Sequence, residues 1–173
     1  MLPDDVLERV ISYIKYQATK RDGLPGLVTK SQQRFLDAVG SVSEGVAAKA
    51  PPGEGEWCRR QLILHVIDAE SSVATIIEKL ARGEQPDAGR RGAGSMADDD
   101  GAPFSSYVER LRGVNQTLLG AIAALPTKPN LDATAPHPFF GQLNCLEWAA
   151  FQRVHDEDHV QHAAKILAAV SPP

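Results

Sequence analysis

At 173 residues the chain is long enough to bury a full core as one domain, and its composition of 43% hydrophobic, 23% charged and 6% aromatic residues excludes disordered and collagen-like classes. A net charge of -4, with no basic cluster larger than Arg59-Arg60 or Arg90-Arg91, argues against a nucleic-acid groove, because such grooves bind by neutralising phosphates with Lys and Arg. The acidic start Met1-Leu2-Pro3-Asp4-Asp5 lacks the basic, apolar pattern of a secretory signal, and no apolar run reaches membrane-spanning length, so the expected location is cytoplasmic.

Residues 4–20 place Leu7, Val10, Ile11 and Ile14 at helical spacing, and Asp22-Gly23-Leu24-Pro25-Gly26 breaks the pattern. A longer helix is predicted over 27–49, with Val28, Phe35, Val39, Val42 and Val46 on one face, ending at Pro51-Pro52-Gly53. The next runs from Trp57 to Leu80, with Leu62, Ala69, Val73, Ile76 and Ile77 recurring around His65. From Arg82 to Pro103 the chain is rich in glycine and carries Asp98-Asp99-Asp100, which reads as a mobile, solvated surface connection rather than a calcium loop. Ser105 or Ser106 is expected to cap a helix through Val108, Leu111, Asn115, Leu118, Ile122 and Leu125, stopped by Pro126. A proline-punctuated loop, 127–141, leads into a last helix over 143–170. No segment shows a period-two strand or a glycine-rich phosphate loop, so the inventory predicts an all-α bundle of four long helices plus a shorter one.

Three of the five histidines, His155, His159 and His162, fall within eight residues of the last helix. At roughly 100° per residue they share a stripe with Trp148, Phe151 and Ile166, while Arg153, Glu157, Gln161 and Lys165 fall away from it. His155 and His159, one turn apart, can reach one ion. His155 and His162 cannot easily do so, because seven residues rise about 10 Å. A third ligand must come from another helix, and His65 is the best donor. A lone histidine on an apolar face is ordinarily a satisfied core residue, but several unpartnered buried imidazoles would cost about 1 to 3 kcal/mol each. A carboxylate-bridged di-iron site is discarded, since these helices carry no Glu-x-x-His pair. Cys58 and Cys145 form no disulfide framework and read as reduced thiols, although a redox or fourth-ligand role for Cys145 is conceivable from its position before His155.

Three local patterns resemble the DinB/YfiT-like superfamily. They are Pro52-Gly53-Glu54-Gly55-Glu56-Trp57 with His65 eight residues on and Ala69-Glu70 after it; His137-Pro138-Phe139-Phe140-Gly141-Gln142-Leu143-Asn144 leading through Leu146-Glu147-Trp148; and His155-x3-His159 with its Gln161 to Leu167 tail. The resemblance covers about residues 27 to 168. It implies a four-helix bundle of up-down-down-up topology over 27–170, preceded by an N-terminal helical arm, 1–26. It also implies a divalent ion, nickel or zinc, held by His65, His155 and His159.

His162 departs from the pattern as an alternative ligand, proton shuttle or satisfied core residue, and His137 is expected to brace its loop. Asp68, Glu70 and Asp158 are candidates to orient ligand imidazoles, which usually donate their second N–H to a carboxylate or carbonyl. Three neutral imidazoles leave coordination positions open, so a bound ion could activate water or a thiol. Characterised relatives include thiol-dependent S-transferases, so the leading expectation is metal-assisted transfer of a low-molecular-weight thiol to a small electrophile, in a protein that forms a homodimer. The alternative is a non-catalytic, stress-related metal-binding or dimerising bundle, marked by a fourth protein ligand such as Cys145 or His162.

Overall fold

A computed structural model describes residues 3–40, 42–86 and 94–170. Helix α1 (Asp4–Ala18) and a 3₁₀ turn (Arg21–Gly23) lead into α2 (Leu24–Val39). A short α3 (Glu44–Ala47), α4 (Arg59–Ala81) and α5 (Phe104–Ala123) follow. Strands β1 (Ala135–His137) and β2 (Gly141–Leu143) precede α6 (Cys145–Val170).

Several boundaries move from their predicted places for identifiable reasons. Pro25 starts α2 instead of breaking the chain, because a first-turn proline has no intrahelical N–H bond to lose. The helix predicted over 27–49 ends at Val39, where Gly40 turns the backbone to φ 51° and its N–H closes on Leu36 O at 3.0 Å. Trp57 lies outside α4, whose N-cap is Cys58; the Gln61 side chain reaches back to accept the Cys58 N–H at 2.9 Å. Ser105 and Ser106 do not cap α5, since Pro103 occupies the N-cap and both serines sit in the first turn. The loop 127–141 contains half of an unforeseen antiparallel hairpin, with His137 opposite Gly141, whose strands are too short to show an alternating pattern.

Cross-helix contacts fix the helix directions. Ser31 meets Asp156 and Phe35 meets His159, so α2 and α6 run parallel. Helix α4 is antiparallel to both: Glu70 pairs with Gln32 and Gln152, and farther toward its start Arg59 reaches Val39 and His65 reaches His155. Arg60 lies against Tyr107 and Glu70 against Asn115, which makes α4 and α5 parallel. The order is therefore up-down-down-up. Helix α1 adds to this bundle: Arg153 of α6 donates to Tyr13 Oη at 2.8 Å, and Ile14 and Ala18 are buried in the same apolar cluster as Leu146, Ala149 and Ala150.

The core is split in two. One apolar cluster gathers Val28, Val73, Leu118 and Trp148; the other gathers Phe35, Leu62, Tyr107, Leu111 and Ile166. Between them all four long helices turn a polar residue inward: Ser31 and Gln32 from α2, Glu70 from α4, Asn115 from α5, Gln152 and Asp156 from α6. Buried polar groups persist only when paired. Asp156 accepts from Ser31 Oγ and Gln152 Nε2, each at 2.6 Å, and Glu70 accepts from Gln32 Nε2 at 3.0 Å. With its amide turned to satisfy both neighbours, Asn115 donates to Leu111 O at 3.0 Å and Glu70 Oε2 at 2.8 Å.

Candidate metal centre

The histidine cluster lies next to this polar layer, on the side of the second apolar cluster. His155 and His159 stand one turn apart on α6, and the antiparallel α4 brings His65 to them. His155 Nε2 lies 3.3 Å from His65 Nε2 and 3.2 Å from His159 Nε2. Among the described residues these three form the one group of His, Cys, Asp or Glu side chains whose donor atoms converge closely enough to share an ion. His65 and His159 are buried, and the His155 side chain retains 12% exposure.

The chemistry of this donor set fits a cation. His65 Nδ1 faces the Ser95 carbonyl at 2.6 Å, and a carbonyl only accepts, so Nδ1 carries the proton and Nε2 presents a bare lone pair. A single N–H on His155 Nε2 could serve one of its two neighbours and not both. Nitrogen donors about 2.0–2.1 Å from a tetrahedral ion stand about 3.3 Å apart, close to the separations found here. Burial, then the neighbouring imidazoles, pushes His159 down to about 2; burial also lowers His65, against the pull of the Ser95 carbonyl. Both therefore stay neutral, as ligands must. His159 Nδ1 is buried without a hydrogen-bond partner.

The remaining candidates take other places. His162 is half-buried and stacks on Trp57 with ring centroids 5.7 Å apart, while Trp57 also packs 5.1 Å from His65. Its outer side lines a cavity of about 290 Å³ with Glu56, Asp158, Lys165 and Ile166. Asp158 thus belongs to the cavity rim, in keeping with its exposure. His137 lies in the hairpin: its Nδ1 accepts the N–H groups of Phe139 and Phe140 at 3.2 and 3.3 Å, and its ring packs 4.4 Å from that of Phe151. Cys145 is buried away from the cluster with Sγ 3.8 Å from Asn130 O, and burial pushes its thiol up. Glu70 serves the polar layer, and Asp68 accepts the hydroxyl of Ser95, whose carbonyl meets His65, at 2.5 Å.

Sequence reasoning missed Ser95, Gln152 and Asp156. Gln152 Nε2 lies 3.5 Å from His155 Nδ1 while donating to Asp156. The signal for these two was present, because residues 152, 156 and 159 also share a helical face. Ser95 gave no signal, being thirty residues from the ring it contacts.

An antiparallel-crossed four-helix bundle with three imidazoles converging between two helices defines a class of candidate metal-binding helical proteins. The chain belongs to the DinB superfamily, whose family model matches residues 27–163. It is similar to an Oceanobacillus iheyensis protein named "putative metal-dependent hydrolase", with 24% identity over 131 residues, 75% of each chain. It also resembles in fold the crystal structure of TT2238, a four-helix bundle protein, with a TM-score of 0.60, 24% identity and coverage of 82% of this chain and 95% of that one. No helix among the described residues is long and apolar enough to cross a membrane.

Proposed function

We propose that this protein is a metal-dependent enzyme in which His65, His155 and His159 hold a divalent ion, nickel or zinc, and that its reaction is the transfer of a low-molecular-weight thiol to a small electrophile. The convergence of three Nε2 atoms carries the first part of this reading. Support for catalysis rather than a purely structural tie comes from what does not close the site: Cys145 bonds to Asn130 O, and His162 stacks on Trp57. Three protein ligands with a free position is the catalytic pattern. An ion held there supplies Lewis acidity that favours the deprotonated form of a bound water or thiol.

The chain's own groups do the rest. The Ser95 carbonyl fixes the His65 tautomer, and the apolar Phe35 and Phe151 rings flank His159 and His155. Hydrolysis, the activity in the name of the Oceanobacillus relative, would need only water in place of the thiol at this chain's three-histidine centre. Homodimerisation belongs to the same proposal.

The test is elemental analysis of untagged protein purified without metal-affinity resin, beside His155→Ala plus His159→Ala. About one equivalent of divalent ion, lost in the variant, is expected; absence of metal, with no uptake at neutral pH, overturns the reading. Thiol turnover should then vanish in His65→Ala, His155→Ala and His159→Ala alike, and an active triple variant would refute the thiol chemistry.

A further inference from the structure

The connection expected to be a mobile surface segment is, over residues 94–102, a strap fastened across the metal end of α4. Residues 87–93, with Arg90 and Arg91, lie outside the described residues. The Ala97 N–H donates to Leu64 O at 3.1 Å, and Met96, Ala97 and Ala102 pack on the second apolar cluster. Gly94 lies so close to Trp57 that a Cβ there would stand 3.7 Å from its ring. Between these points Ser95 makes two contacts of opposite kind: its carbonyl takes the His65 Nδ1–H at 2.6 Å, and its hydroxyl donates to Asp68 Oδ2 at 2.5 Å. His65 and Asp68 are neighbours on one face of α4, at i and i+3, so Ser95 is clipped to the same helix turn that carries the ligand.

The far end of the strap is anchored as firmly. Tyr107 Oη accepts the Ala102 N–H at 3.1 Å and lies 2.5 Å from Asp99 Oδ1 and 2.8 Å from Asp100 Oδ1, so its single proton is shared between two carboxylates. Arg60 ties Asp99 at 3.3 Å and Ala102 O at 3.0 Å, and Arg110 pairs with Asp100 at 3.2 Å. The Asp98-Asp99-Asp100 run is therefore accounted for, in two of its three members, by anchoring rather than by a cation.

We propose that this strap is a working part of the metal centre: Ser95, held by Asp68 and by the Tyr107 anchor, positions the His65 ring for ligation, so that strap docking and ion binding strengthen each other. The inference rests on the three-histidine reading above. An untethered His65 ring would rotate about its side-chain bonds and alternate between tautomers, and ion binding would have to oppose both freedoms. A carbonyl fixed at Nδ1 removes them beforehand, in the way outer hydrogen bonds to metal-ligating histidines generally strengthen binding by about 10- to 100-fold. Because coupling between two binding events is reciprocal, an ion must shift the opening equilibrium of the strap toward its docked state by the factor that the docked strap adds to the ion's affinity.

The experiment measures Zn²⁺ affinity by competition with a chromophoric chelator, together with hydrogen exchange at the Ala97 amide with and without Zn²⁺, and the ¹⁵N shifts of His65. Asp68→Ala is expected to weaken Zn²⁺ binding about 10- to 100-fold, with partial recovery in Asp68→Asn, whose amide oxygen can still accept from Ser95. Tyr107→Phe, which touches no ligand and preserves the ring, should lower affinity in step with faster exchange at Ala97, and His65 should lose its single-tautomer ¹⁵N signature. Zn²⁺ affinity within twofold of wild type in Asp68→Ala and Tyr107→Phe, while Ala97 exchange quickens, would overturn the proposal and leave the three-histidine reading intact. Wild-type protein that binds no Zn²⁺ would overturn both.

Discussion

Ser31→Ala tests the polar layer beneath the histidines. The Ser31 hydroxyl is 2.6 Å from Asp156 Oδ2, and the two residues are 1% and 0% exposed. Gln152 donates to the other oxygen of Asp156, so removing the hydroxyl leaves one carboxylate oxygen short of a donor where water has little access. A hydrogen bond to a charged group contributes about 1.5–3 kcal/mol, and loss of one partner exposes most of that. Taking about 2 kcal/mol, with 2–4 °C per kcal/mol for a domain of this size, the unfolding midpoint should fall by about 4–8 °C. Urea unfolding followed through the buried Trp148, with calorimetry alongside, reads this directly. Exposed Ser105→Ala is the control, expected within about 0.5 kcal/mol of wild type. A loss for Ser31→Ala no larger than the control's, or a double-mutant cycle with Asp156→Asn showing no coupling, would refute the claim that this layer is held by charge-assisted hydrogen bonds.

Glu70 gives a pH signature: burial, then the nearby Asp156 carboxylate, holds its pKa well above the ordinary glutamate value of 4.5. A raised folded-state pKa means the contribution is full below the unfolded pKa and lost as pH rises toward the folded one, at up to about 1.4 kcal/mol per pH unit. Glu70→Gln should therefore gain stability relative to wild type as pH rises above 4.5, and a difference that stays constant from pH 5 to 8 would contradict it. Gly40→Ala should cost about 1–2 kcal/mol, because φ is 51° and the new Cβ would stand 3.1 Å from Asp37 O; equal urea midpoints would argue against that strain. Ile14→Ala should cost about 2–5 kcal/mol, since α1 buries this side chain completely against the bundle. A loss below 1 kcal/mol would make α1 a detachable arm. Saturating Zn²⁺ at about 100 times its Kd should stabilise wild type by about 2.7 kcal/mol and leave His155→Ala plus His159→Ala unmoved, as judged by thermal unfolding.

The helical class and the two helices whose inward faces carry His65, His155 and His159 were legible in the chain, because a helix repeats every 3.6 residues and its faces can be reconstructed from spacing alone. Trp148, Phe151, His159 and Ile166 fall inward as their spacing requires. The resemblance to the DinB superfamily implied the topology, which the Ser31–Asp156, Glu70–Gln152 and Arg60–Tyr107 contacts bear out. What spacing could not reach was any contact between distant segments. Nothing local marks Ser95 as the residue that holds His65, or shows that Asp99 and Asp100 fasten a strap to Tyr107. His162 shares the stripe of the other two histidines, yet Trp57 engages it from outside α6 and turns it toward a cavity. Asp156 shares the inward face of α6, but its partner there, Ser31, is supplied by α2 and could not be read from spacing. The sequence alone determined which side chains share each helix face; the tertiary structure decided which partner each one meets, because an imidazole, a carboxylate or a backbone carbonyl acquires its role from the group placed opposite it.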